Sequence, residues 1–338
     1  MPEATLGLFM ILIAGAMNGS FAVPMKLTQR WAWENTWLMW TIYGLFIFPP
    51  LLTLVTVGSP IAIYQQTGWN VVATVAACGA GWGVSAVFIG LAVEAVGVAV
   101  SFSIMLGLSA ALGSLVPLVS RHSDRIATPA GMLALAGLAL VLIGVGICAV
   151  AGKQRESALG ARLPGEVPVF MGLIYCVLGG LGSGLVNLAL VFGDPILQTA
   201  QAHGVSKISG PNVVFLPLTL AAGIPNLLYC GYLLGKNHTA DRFHASGTSS
   251  YWFLTALMAF LWFGSTILYG AATTNLGQLG TVLGWPLFMS VIVITAAIWG
   301  MITGEWRGSG QKPRIVMGYG VGVLVIAIFV LSYAGRQV

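Results

Sequence analysis

Charge is what this chain most lacks. Only 7% of its 338 residues are Asp, Glu, Lys or Arg, against about 25% in an ordinary soluble domain. A soluble globule is excluded, because 14 basic and nine acidic side chains cannot supply a polar shell for a fold of this length. Cysteine is scarce too. Cys78, Cys148, Cys176 and Cys230 form no CxxC pair and sit in or beside apolar runs, which excludes a disulfide framework or zinc site and leaves packing. The four histidines, His122, His203, His238 and His244, fall in loops or at span ends, where solvation is the default. No P-loop, HExxH or GxSxG is present, so nothing points to catalysis. The net charge of +5 comes without any dense basic run, which argues against nucleic acid. The N-terminus has no basic leader, its only early charge being Glu3, and no small-residue cleavage site; its apolar run reads as a retained helix.

What is there is apolar length. Hydrophobic residues make up 57% of the chain, and runs of about 20 such residues mark membrane helices. Ten are expected, near 6–27, 35–57, 70–92, 96–118, 130–150, 168–190, 210–234, 251–273, 279–303 and 315–335. The fold class is an all-α membrane protein with a bilayer as its solvent and no cofactor. Many of the 45 glycines stand at small-xxx-small spacing, such as Gly15 with Gly19 and Gly180 with Gly184, where helix backbones approach closely. Pro24, Pro117, Pro217, Pro225 and Pro286 lie inside or at the ends of spans. Each in-span proline frees a carbonyl that a neighbouring helix or water must satisfy.

The basic residues set the orientation. One side receives Lys26, Arg30, Lys153, Arg155, Arg162, Lys236, Arg242, Arg307, Lys312 and Arg314; the other receives Arg121, Arg125, Lys207 and Arg336. The richer side belongs in the cytoplasm, which places both termini outside.

The sequence also repeats. GWGVSAVFIGLAVEAVGVAVS (81–101) aligns without gaps over LWFGSTILYGAATTNLGQLGT (261–281), matching Trp82 to Trp262, Ser85 to Ser265, Gly90 to Gly270 and Gly97 to Gly277. GLFMILIAGAMNG (7–19) aligns over GLIYCVLGGLGSG (172–184). Residues 1–150 and 168–338 are then two five-helix copies joined by a loop, 151–167. Five is odd, so the second copy enters the membrane from the opposite side. Such a 5+5 inverted-topology repeat is characteristic of alternating-access carriers, with the site at mid-membrane between the copies.

Ten spans in this arrangement resemble the drug/metabolite transporter superfamily. Pro24, Lys26, Trp33, Glu34 and Trp37, together with GWG (81–83) and GEWRGSGQKP (304–313), are similar to the L-rhamnose–proton symporter family in particular. The resemblance implies a proton-coupled sugar permease of the inner membrane. It also implies an acidic residue in the segment matching 278–285, where this chain has GQLGTVLGW and none. Sodium is the alternative coupling ion, and the assembly expected is a monomer or homodimer.

A neutral sugar calls for amides, hydroxyls and aromatic rings. Trp262, Ser265 and Tyr269 share one helical face, as do Gln278, Thr281 and Trp285; Trp82, Ser85, Asn18, Asn187 and Asn212 complete the candidates. Trp31, Trp33, Trp37, Trp69, Trp252 and Trp306 stand near span ends and are expected in the headgroup belt. For coupling, Glu34 and Lys26 are expected to pair as a gate, with Glu94, Asp194 and Glu305 as interfacial charges. The function expected is import of a rhamnose-like deoxy-sugar or related monosaccharide by proton symport. The alternatives are a metabolite or drug exporter, an uncoupled facilitator, or a sugar sensor that moves nothing.

Overall fold

In the computed structural model, residues 3–160 and 168–337 are described, apart from the side chains of Glu94, Val98, Ala99 and Val169. The expectations placed on Arg162 and on the Glu94 side chain therefore lie outside the described residues. Among the described residues, ten helices are long and apolar enough to span a bilayer: α1 Glu3–Ser20, α2 Trp33–Val57, α3 Trp69–Val96, α4 Val98–Arg121, α5 Pro129–Ala158, α6 Val169–Phe192, α7 Gly210–Lys236, α8 Ser249–Asn275, α9 Gly280–Ile302 and α10 Gln311–Ala334. No strand occurs among the described residues. Two short helices, Pro60–Thr67 and Asp194–Ala202, fill turns that the sequence left as loops.

One boundary moves. α5 runs to Ala158, eight residues past the expected end at 150, so the connection expected over 151–167 begins as helix. Lys153, Arg155 and Glu156 end the apolar run but not the helix, because their side chains have good helix propensity.

Small residues set the packing. α1 lies along α8 and α9; α6 lies along α3 and α4; α5 pairs with α10, and α7 with α3 and α2. Gly15 and Gly19 of α1 press on Val291 and Thr295 of α9, while Gly180 and Gly184 of α6 press on Leu108 and Leu112 of α4. Gly7 meets Ala272 and Leu276 of α8, and Gly172 meets Ala95 and Val96 of α3.

The prolines show how the bundle is held. A proline at position i leaves the carbonyl of i−4 without its helical donor. Pro117 frees Gly113, and Asn187 Nδ2 of α6 donates to that oxygen at 2.6 Å. Pro217 frees Val213, to which the Tyr64 hydroxyl donates at 2.7 Å. Pro286 frees Val282, to which Ser114 Oγ donates at 2.8 Å. Each of these three bends is thus closed by a side chain from another element, as a medium without water requires. In α2 a π turn, Ile42–Ile47, comes just before Pro49 and Pro50, which offer no N–H.

Candidate functional site

Between α1, α3, α4, α5, α6, α8 and α9 lies a cavity of about 570 Å³, within the ~300–1,000 Å³ usual for small-molecule sites. It reaches the surface at Lys26, Arg155, Glu156 and Glu305, on the side that carries most of the basic residues. Its floor is aromatic. Tyr269 packs on Trp285 and Phe288 with ring centroids 5.3 and 4.9 Å apart. Beneath that floor the chain is solid core, including Leu276, Leu279 and Leu283.

The upper wall is a tryptophan pair. Trp82 of α3 and Trp262 of α8 stack nearly parallel, centroids 5.1 Å apart and planes 4° from parallel. Beside them, Asn18 of α1 donates from Nδ2 to Ser265 Oγ at 2.8 Å. Ser265 donates in turn to the Trp262 carbonyl at 2.6 Å.

Of the residues singled out in the sequence, Asn18, Trp82, Trp262, Tyr269 and Trp285 line this cavity. The other six do not. Ser265 stands one layer back and holds Asn18. Ser85 donates to its own helix, at Trp82 C=O. Asn187 lies behind the floor, completely buried. It accepts from the Tyr269 hydroxyl at 2.5 Å and donates to Gly113 and Thr281 carbonyls. Thr281 thus takes part only through its backbone. Asn212 bonds Thr56 Oγ1 at 3.0 Å between α7 and α2. Gln278 accepts from Arg125 at 2.8 Å at the opposite end of the bundle. Helical spacing identifies a polar face, not what that face meets, and for these side chains it met other helices.

The expected Glu34–Lys26 pair is not formed. Glu34 Oε1 accepts from Asn237 Nδ2 at 3.0 Å and Thr239 Oγ1 at 2.7 Å, pinning the start of α2 to the α7–α8 connection and away from the cavity. Arg30 donates instead to the Ser246 carbonyl. Lys26 lies in a 3₁₀ turn, Pro24–Leu27, that carries it towards the α9–α10 connection. There it pairs with Glu305 and donates to Thr303 Oγ1 at 2.9 Å. Arg155 Nη1 reaches the other Glu305 oxygen at 3.1 Å, and its guanidinium lies over the Trp306 ring. Glu305 is therefore more than an interfacial charge: one carboxylate ties the ends of α1, α5 and α9. Its place inside GEWRGSGQKP was the signal that pointed to it. The headgroup belt also needs correction. Trp33, Trp69 and Trp252 are exposed, but Trp31 and Trp306 are 4% exposed. Trp31 sits among Phe243, Tyr251 and Trp252. Trp37 is half-buried and donates to Asn226 Oδ1 at 2.9 Å.

Sequence reasoning missed Ser109. It lines the cavity, accepts from Trp285 Nε1 on its carbonyl at 2.9 Å, and has a buried hydroxyl without a partner among the described residues. A serine in an apolar helix carries no mark to separate it from those that bond their own backbone.

Burial raises the Glu305 pKa, but the Lys26 hydrogen bond and charge, then Arg155, outweigh it and hold the carboxyl below its ordinary 4.5. The ion pairs are therefore fully formed above that ordinary value and are lost as pH falls through the lowered one. The carboxylate is 37% exposed, so the contribution is at most about 1 kcal/mol. A Glu305→Gln variant is expected to melt slightly below the parent at neutral pH and to match it in strong acid. Thermal melts in detergent across that range check this.

An apolar bundle of ten described helices around a solute-sized cavity is the architecture of a membrane carrier. Comparison with known proteins places it further. The family model described as L-rhamnose-proton symport protein (RhaT) matches residues 1–335, and the chain belongs to that family. It is 27% identical to the L-rhamnose-proton symporter of Escherichia coli (strain 55989 / EAEC) over 330 residues, 96% of each chain. It is 26% identical to the protein of that name from Salmonella gallinarum (strain 287/91 / NCTC 13346), again over 96% of each. The family is one of symporters, so the chain is a transporter and not an enzyme. Ten apolar helices and bacterial relatives make it a multi-pass inner-membrane protein.

Proposed function

We propose that this protein imports a small neutral sugar, L-rhamnose or a close relative, together with a proton, by alternating access between two inverted five-helix halves. The observation that carries the reading is the cavity itself. Aromatic wall and floor suit the apolar faces of a deoxy-sugar, and Asn18 offers a polar contact for one of its hydroxyls. Lys26 and Arg155 balance Glu156 and Glu305 at the mouth, so the entrance neither draws nor repels charge, as a neutral solute needs.

Aligned residues support the inverted repeat by doing the same work in both halves. Gly15 and Gly19 meet α9 where Gly180 and Gly184 meet α4, and α9 and α4 occupy matching places in the order. Gly7 meets residue 276 where Gly172 meets residue 96, the offset of 180 found in the sequence. Trp82 and Trp262, aligned at that same offset, stack on each other. This arrangement favours placement in the drug/metabolite transporter superfamily. With the richer basic side in the cytoplasm, the termini lie outside and the cavity faces inward, with its outer exit closed by the Tyr269–Trp285–Phe288 floor. Lys26 remains our gate residue, with Glu305 in place of Glu34 as its partner.

Binding tests the reading directly. Titration of L-rhamnose into the purified protein is expected to give saturable heat. Trp82→Ala and Trp262→Ala are each expected to weaken binding about tenfold by removing aromatic surface. Absence of binding by the parent, or full binding by both variants, contradicts it.

A further inference from the structure

Resting on the sugar reading above, we infer that the Asn18 side-chain carbonyl is the acceptor that reads one donor hydroxyl of the bound sugar, and that Ser265 is the positioning residue that fixes it. The direction in which the amide faces decides this. Ser265 has one hydroxyl proton, and it points at the Trp262 carbonyl 2.6 Å away. Towards Asn18 the Ser265 oxygen is therefore only an acceptor, so the Asn18 group facing it, 2.8 Å away, must be the NH₂. The opposite end of the amide, Oδ1, accepts from no described side chain, and Asn18 lines the cavity. The relay from Trp262 C=O through Ser265 to Asn18 thus locks an acceptor, not a donor, at the solute space. It does so beside the stacked Trp82–Trp262 pair, where a sugar ring has apolar surface to lie against.

An acceptor without a choice discriminates. A site built to hydrogen-bond a substrate hydroxyl rejects the analogue that lacks it, because the polar group is left unpaired. A hydroxyl replaced by fluorine keeps its size and loses its donor. Asn18 should penalise that replacement at one position of the sugar and no other.

The test is uptake of labelled L-rhamnose into proteoliposomes, competed by the series of monodeoxyfluoro L-rhamnoses. The parent protein should bind one member at least about tenfold more weakly than L-rhamnose. In Asn18→Leu, which keeps size and removes the acceptor, that one ratio should fall to about one and the others should stay. Ser265→Ala, which frees the amide to turn, should lower the same ratio part of the way. This second variant carries the test alone if Asn18→Leu fails to fold. A merely structural role for Asn18 would weaken every sugar alike and leave the ratios unchanged; that result overturns the assignment while sparing the sugar reading. Failure of the parent protein to take up L-rhamnose overturns the sugar reading and this assignment with it.

Discussion

Replacing Asn187 with leucine should cut transport by at least about thirtyfold. No other described side chain in the bundle joins as many helices under the cavity. From α6 it donates to Gly113 on α4 and Thr281 on α9 and accepts from Tyr269 on α8. Leucine fills similar space but strands two groups that have no substitute. The Tyr269 hydroxyl loses its acceptor in a fully dry setting, and the Gly113 carbonyl, already without its helical donor because of Pro117, loses the only replacement seen. A buried polar group left unpaired costs about 1–3 kcal/mol, so the closed floor should lose about 2–6 kcal/mol relative to states in which water reaches these atoms. A carrier that cannot hold one exit shut cannot build a gradient. Tyr269→Phe is the graded control, since it strands only the Asn187 oxygen and should cost less. Uptake assays on both variants, with expression confirmed by gel filtration, check the order. Wild-type accumulation by Asn187→Leu would mean that this side chain does not hold the floor.

Valine at Gly79 or Gly83 should prevent folding altogether. On α3 these glycines face α7 so closely that an added Cβ would lie 2.1 Å from the Leu218 carbonyl oxygen and 2.3 Å from that of Ala222. Both obstacles are backbone, so no side chain can swing aside. The helices must part, and in lipid close packing is what holds them together. Overpacking a core ordinarily costs about 1–3 kcal/mol; here the obstacle is backbone that cannot give, and the expected result is protein that never becomes monodisperse. Even Gly79→Ala should lower the melting temperature by several degrees. Gly146→Ala is the contrast, because nothing lies within 4 Å of its added Cβ. Its melting temperature should hold or rise slightly, alanine being the better helix former.

Much of this architecture was legible because the signals are collective. Ten runs of apolar residues survive any single exception, and all ten expected spans occur, with the end of α5 well displaced. The tryptophans at 82 and 262 were visible through their alignment, and they line the cavity together. What escaped was pairing across space. Lys26 and Glu34 are near in sequence, yet a 3₁₀ turn and the Asn237–Thr239 connection send them to different partners. Asn187 was expected as a substrate contact and Ser114 carries no mark in the sequence, yet each answers a carbonyl freed by a proline on another helix. That need is written in the sequence as Pro117 and Pro286; the residue that meets it is fixed only by packing.

The central claim is that sugar and proton cross together through one cavity. Purified protein in liposomes, with labelled L-rhamnose outside and an imposed pH gradient, tests it most directly. We expect accumulation above equilibrium when the outside is acid, none without the gradient, and alkalinisation of the medium when sugar is added. Uptake that only equilibrates and ignores the gradient would contradict it.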